Sequence, residues 1–176
     1  MDELSQNILK AQKGDKAAFG AIYELFYERI YRYCYFNTRK RELALDICQE
    51  TFVRAWQGLP KFAMYKGGSL QAFLFRIARN LIIDNHRKKK EVSIEGYQNL
   101  ESNDDSEDEI DKRADQKKLK QAIDLLSEKD KQIIVLKYFE DLSGVEIAKI
   151  LKMREGALRV RTHRIVKNLK IIMEKI

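Results

Sequence analysis

Three groups of side chains in this sequence could do chemistry, and in each it is the chemistry of recognition. Near the C-terminus, Arg159, Val160, His163, Arg164 and Lys167 recur at helical spacing. A helix of this width enters the DNA major groove, where arginine grips guanine O6 and N7 through two hydrogen bonds. Arg161 lies off that row and is better placed for a phosphate. A solvated basic face would look the same at Arg159 or Lys167 taken singly. A second group, Arg76, Arg79, Asn80, Asp84 and Arg87, is followed by Lys88, Lys89 and Lys90. Asparagine and arginine are base-reading types, and the lysine run suits phosphates, although cations at a helix end also suit its dipole. The third group, Asp46, Gln49, Glu50, Val53 and Arg54, is mainly acidic and polar. Such a face inside a basic region suits a protein partner rather than DNA; an ordinary solvated face is the other reading.

The elements that must position these groups are helical. A single proline, Pro60, interrupts the chain, and apolar spacing is helical nearly throughout. A long helix is predicted from Asp15, its N-cap, with Phe19, Ile22, Phe26, Ile30 and Cys34 on one face. A second runs from about Glu42 to Gln57, with Leu45, Cys48, Phe52, Ala55 and Leu59 as its apolar side. A loop with Pro60, Phe62, Tyr65, Lys66 and Gly67-Gly68 leads to a third helix from about Leu70 to Arg87. Its inward residues are expected to be Leu70, Phe73, Leu74, Ile77, Leu81 and Ile82. The loop could hold an unstacked base against an aromatic surface or simply join two helices.

Residues 91–112 read as an acidic linker between a helical domain over 1–90 and another over 113–176. Glu101 to Asp111 has almost no apolar content and cannot offset its own ordering entropy by burial. Val92 and Ile94 alternate as a short extended segment would. Helices resume at about Arg113, with Leu119, Ile123 and Leu126 on one. Ser127 to Asp130 resembles a capping box opening the next, which carries Ile133, Ile134, Leu136 and Phe139. Ser143 to Glu146 is a second such box, opening a short helix through Leu151. A turn over Lys152 to Arg154 leads into a basic helix from Glu155, with Leu158, Thr162, Ile165, Leu169 and Ile172 as its packing stripe. A short helix, a turn and an arginine-rich helix match the helix-turn-helix pattern.

Charge agrees with that division. The chain carries +7 overall. Residues 1–94 hold 17 Lys/Arg against 10 Asp/Glu, residues 95–111 hold 8 Asp/Glu and no cation, and residues 112–176 hold 17 against 9. Two basic blocks flanking an acidic one suit a polyanion, because each neutralised phosphate releases counterions. No apolar run is long enough to span a membrane. Met1-Asp2-Glu3 starts no secretory signal, so a cytoplasmic location is expected. Cys34 and Cys48 sit in apolar helical stretches and read as buried free thiols. No Cys/His spacing suggests a metal, and there is no phosphate loop or nucleophile elbow. No cofactor, catalytic residue or small-molecule substrate is therefore expected.

The sequence resembles the extracytoplasmic-function, or group IV, sigma factors of bacterial RNA polymerase. The stretch 46–56, with Asp46, Gln49, Glu50, Phe52, Arg54 and Trp56, is similar to that family's core-binding helix. The stretch 73–87, with Leu74, Ile77, Ala78, Asn80, Asp84 and Arg87, looks like its promoter-melting helix. Leu125 to Asp130, then Leu142 to Ala148 and the helix after Glu155, resemble its C-terminal helix-turn-helix. The resemblance covers roughly residues 10–90 and 115–172. It implies an all-α protein of two small helical domains joined by an acidic flexible linker. It implies that Asp46, Gln49, Glu50 and Arg54 bind the coiled coil of the polymerase's largest subunit, with the flap of the second-largest subunit as a further contact. Arg79, Asn80, Asp84 and Arg87, with the loop before Ser69 and with Arg76 on the same helix, would read the minus-ten element as it opens. Arg159, Val160, His163 and Arg164 would read the minus-thirty-five element, with Arg161 and Lys167 beside them. An anti-sigma factor would hold such a protein inactive, at the membrane where that partner is anchored there. Three positions depart from the pattern: Phe73 stands where tryptophan is usual, Lys152 where glycine is frequent, and Arg154 where a small N-cap is usual.

A stand-alone helix-turn-helix regulator with a sensory N-terminal domain is the alternative. It predicts a ligand pocket in residues 1–90 and tight DNA binding without polymerase. A nucleic-acid enzyme is a more distant reading, since paired carboxylates such as Asp104 and Asp105 fall in the linker, where a metal site would lack preorganisation.

Overall fold

The computed structural model describes residues 2–62, 69–94 and 114–175. The loop residues Tyr65, Lys66, Gly67 and Gly68, the acidic stretch 101–111 with Asp104 and Asp105, and the helix start at Arg113 lie outside the described residues. Within them the chain is helical, and it divides into two units at Asp104/Asp105.

The first unit contains α1 (Glu3–Gln12), α2 (Lys16–Thr38), α3 (Arg41–Gly58) and α4 (Leu70–Ile94), with a 3-10 turn at Leu59–Lys61. Asp15 caps α2 as expected, its carboxylate accepting from the Ala18 amide at 3.0 Å. Helix α2 ends at Arg39, in the left-handed region at φ 54°. Helix α4 continues through Ile94, so Val92 and Ile94 are helical rather than extended. Helix α1, which no expected element covers, packs Ile8 and Ala11 against α2.

The buried stripes are mostly those expected. Ile22, Phe26, Ile30 and Cys34 on α2 meet Cys48, Phe52, Ala55 and Leu59 of α3 and its end. Helix α4 is rotated from the expected orientation. Its buried residues are Leu70, Leu74, Phe75, Ala78 and Ile82, while Phe73, Ile77 and Leu81 are half-buried. The reason is that α4 packs against α2 as well as α3. The centre of its buried face shifts toward Phe75, which meets Tyr33 edge-on with ring centroids 5.2 Å apart. Burying a ring of that size contributes about 1.5–3 kcal/mol, enough to set the helix's roll. Phe19 is half-buried and starts an aromatic row with Tyr23, Tyr27, Tyr31 and Tyr35, one per turn along α2. Phe19 meets Trp56 and Tyr23 meets Phe52, so the row runs along the α2–α3 seam.

The second unit contains α5 (Ala114–Asp124), α6 (Glu128–Ile134), a π turn at Val135–Phe139, α7 (Gly144–Leu151) and α8 (Glu155–Lys175). Ile123, Leu126, Ile133, Ile134, Leu136, Ile147, Ile150 and Leu151 form its core with one stripe of α8. Phe139, expected inside, is 45% exposed. The π turn explains the difference. Glu140 N donates to Val135 O at 3.0 Å, five residues back, so one extra residue enters the turn. That residue swings Phe139 outward and brings Glu140 to the buried side.

Both cysteines are buried free thiols, as expected. Burial pushes Cys34 up, helped by the neighbouring Cys48, and burial pushes Cys48 up to about 12. The folded thiols therefore keep their protons after unfolded ones, near 8.5, have ionised. Their contribution to stability is intact below about pH 8.5 and is lost as pH rises toward about 12. Iodoacetamide at pH 8 should leave both thiols of the native chain unmodified and label both in guanidinium. Fast labelling of the native chain would contradict this burial.

Candidate nucleic-acid and partner interfaces

The helix-turn-helix is built by caps and by one left-handed residue. Ser143 opens α7 with a full capping box: Glu146 N donates to Ser143 Oγ at 3.3 Å, and Ser143 N donates to Glu146 Oε2 at 2.9 Å. Helix α7 closes at Lys152 (φ 51°, ψ 50°), and Met153 N reaches back to Ala148 O at 2.9 Å. This is the six-to-one bond of a Schellman ending. The chain keeps the turn with lysine at a position suited to glycine. Arg154 opens α8 through its carbonyl, which accepts from Leu158 N at 3.0 Å. The unusual residues at 152 and 154 therefore leave the turn intact.

Helix α8 buries Leu158, Thr162, Ile165 and Leu169, and half-buries Ile172. Its other side exposes Arg159, Val160, His163, Arg164 and Lys167. The structure thus brings the five expected reading residues onto one open helix surface. Arg161 stands apart. Its Nε donates to Asp130 Oδ1 at 2.6 Å, joining α8 to the first turn of α6.

On α4, Arg76, Asn80 and Arg87 are exposed, and Arg79 and Asp84 are half-buried. Arg76, Asn80, Asp84 and Arg87 share the side opposite Leu74, Phe75, Ala78 and Ile82, and Arg79 flanks that face one turn from Phe75. The base of this face is aromatic. The Arg76 guanidinium lies 5.8 Å from the Phe73 ring centroid, and Phe73 lies 5.2 Å from Phe62. Gly58 makes room for them, since a Cβ there would come within 3.1 Å of Phe73 Cζ. Sequence reading missed one residue here. Gln12, at the end of α1, donates through Nε2 to Leu59 O at 3.1 Å and to Phe62 O at 2.7 Å. It pins the turn from which the loop toward α4 departs. A glutamine whose partners lie 47 and 50 residues away leaves no local pattern to find.

On α3, Asp46, Gln49 and Val53 are exposed, and Glu50 and Arg54 are about half exposed. Glu50 and Arg54 pair at 2.7 Å, four residues apart. Such surface pairs contribute only about 0.3–0.5 kcal/mol, so a partner can reorganise this one at small cost. The face lies opposite Ala44, Ile47, Cys48, Thr51 and Phe52, which fill the core.

The Sigma-70 region 2 family matches residues 22–92, and the Sigma-70, region 4 family matches residues 116–169. The ECF RNA polymerase sigma factor SigW of Bacillus subtilis is 32% identical over 173 residues, covering 92% of this chain and 91% of its own. The ECF RNA polymerase sigma factor BldN of Streptomyces coelicolor is 29% identical over 164 residues, covering 91% of this chain and 62% of its own. Among solved structures, the sigma factor RpoE in complex with the anti-sigma factor NepR from Bartonella quintana shares the fold. Its TM-score is 0.71 at 22% identity, over 89% of this chain and 96% of that one. A region 2 unit followed by a region 4 helix-turn-helix defines a sigma-70-type protein. The chain belongs to the extracytoplasmic-function family of RNA polymerase sigma factors.

The turn at Lys152 yields a stability prediction. A left-handed non-glycine residue costs roughly 1–2 kcal/mol, and glycine returns part of that as unfolded-state entropy. Lys152→Gly should stabilise the chain by about 0.5–1 kcal/mol, and β-branched Lys152→Val should destabilise it. Thermal melts of the two variants check the order.

Proposed function

We propose that this chain is an alternative sigma factor that binds core RNA polymerase, directs it to specific promoters and initiates transcription by opening the DNA. The observation that carries this reading is the set of three outward faces on helices whose other sides are buried. One is acidic-polar on α3, and two are arginine-bearing on α4 and α8. They supply the separate tasks that such a factor performs.

Asp46, Gln49, Glu50 and Arg54 dock on the coiled coil of the polymerase's largest subunit. The second unit meets the flap of the second-largest subunit. Arg76, Arg79, Asn80, Asp84 and Arg87 read the minus-ten element as its strands part. The Phe62–Phe73 contact forms an aromatic floor at the start of that face. Arg159, Val160, His163, Arg164 and Lys167 enter the major groove of the minus-thirty-five element. Arginine suits this position because its fork matches guanine's paired acceptors. These roles make the chain a transcription regulator with no catalytic step of its own, working in the cytoplasm. An anti-sigma factor is the natural inhibitory partner, as NepR is found with RpoE. The reading as a stand-alone regulator leaves the α3 face without a task.

Two variants test the faces separately. Glu50→Lys reverses charge on the α3 face and should abolish pull-down of core polymerase while leaving the chain folded. Retention of polymerase by that variant would count against the docking face. Arg164→Ala should weaken holoenzyme binding to a promoter by about 1–3 kcal/mol and relax preference at one upstream base pair. Run-off transcription from a randomised promoter library reads both the loss and the preference.

A further inference from the structure

We infer that Arg161 is a positioning residue, held by Asp130, that sets the roll of α8 so that its neighbours meet the bases. This assigns it a different task from the phosphate contact its position in the sequence suggests, and it rests on the proposal that α8 reads DNA.

The geometry of the pair is specific. Arg161 Nε lies 2.6 Å from Asp130 Oδ1, across a sequence separation of 31 residues. The Arg161 and Asp130 side chains are 37% and 23% exposed. Asp130 is itself immobilised. Its Oδ2 accepts from Ser127 Oγ at 2.9 Å, and its amide donates to the same Ser127 Oγ at 3.3 Å. Ser127 is the N-cap of α6. The carboxylate does not close the reciprocal box that Glu146 closes with Ser143. It bridges the cap and Arg161 instead. The guanidinium of Arg161 thus ends on a fixed point of a neighbouring helix.

The rest of the α8 contact does not fix roll so sharply. Leu158, Ile165 and Leu169 pack through apolar contact, which is non-directional. The Thr162 hydroxyl donates at 2.8 Å to Leu158 O of its own helix and so ties α8 to nothing else. A roll of about 20° moves side-chain atoms at a radius of about 6 Å by about 2 Å. Hydrogen bonds to base edges tolerate only a few tenths of an ångström. A short charge-assisted bond is directional enough to hold that tolerance. Its length and its anchored acceptor also leave Arg161 poorly free to serve a phosphate.

The test uses holoenzyme with two probes: a promoter fragment that wild-type holoenzyme selects from a randomised library, and an unselected duplex of equal length. Asp130→Asn and Arg161→Gln should each weaken binding to the selected fragment about tenfold, the scale of one lost base contact. The double variant should be no worse than either single one. Binding to the unselected duplex and the slope of log K against log salt should stay at wild-type values. Asp130→Glu keeps the charge but moves the anchor by one methylene. It should change base preference in the upstream element in a repeated selection, which a merely structural role would not do. The inference is overturned if Asp130→Asn and Asp130→Glu both keep wild-type affinity and preference. It is also overturned if Arg161→Gln weakens both duplexes alike and lowers the salt slope by about 0.9, the signature of a lost phosphate contact. Wild-type promoter affinity in Arg164→Ala would instead remove the reading of α8 itself, a separate result.

Discussion

Burial of one stripe of a helix leaves no choice about where the opposite stripe points, and every outward face of this protein depends on that constraint. Helix α8 sinks Leu158, Thr162, Ile165 and Leu169, so Arg159, Val160, His163 and Arg164 have only the outside to occupy. Helix α3 sinks Ile47, Cys48, Thr51 and Phe52, and Asp46, Gln49 and Glu50 take the far side. Helix α4 does the same with Leu74, Phe75, Ala78 and Ile82. The hydrophobic effect supplies the force in each case, at about 25 cal/mol per Å² removed from water. The outward residues themselves contribute little to folding, because they bury little apolar surface.

Where the helical stripe is not enough, single residues adjust the aim. The π turn at Val135–Phe139 adds a residue to α6's continuation, so that Glu140 rather than Phe139 faces inward. Lys152 accepts left-handed backbone to turn the chain from α7 into α8. Gln12 at the end of α1 fastens the carbonyls of Leu59 and Phe62 across a wide sequence separation. Gly58 leaves room for the Phe73 ring beside Phe62. The Phe73 ring lies beside Phe62, with their centroids 5.2 Å apart. These devices lie at the ends of helices, where backbone groups lack intrahelical partners and geometry is least determined by periodicity.

The electrostatics follow the same division of labour. The acidic-polar face on α3 and the basic faces on α4 and α8 belong to one chain of net charge +7. They lie on different helix surfaces. The exposed pair Glu50–Arg54 shows how a charged face stays adaptable, because solvent screening keeps such pairs weak. The Asp130–Arg161 pair differs, with a capped and partly buried acceptor.

Local spacing and cap-forming residue types made the all-helical class, the extents of α3 and α7, the starts of α2 and α8, the Asp15 and Ser143 caps and the outward row on α8 legible. Each depends on residues within a few turns of one another, and local spacing determines which side of a helix is apolar. The motif resemblance pointed to the family for a related reason, since its signatures are also short and contiguous. Besides helix α1 and the extension of α4 to Ile94, which the sequence reading also did not give, four features came only with the tertiary structure: the roll of α4 toward Phe75, the outward turn of Phe139, the reach of Gln12 and the capture of Arg161 by Asp130. Each is decided by a contact between elements far apart in the chain, or by one inserted residue that breaks the period. An arginine on a helix looks the same to its sequence neighbours whether it faces a phosphate or a carboxylate 31 residues away.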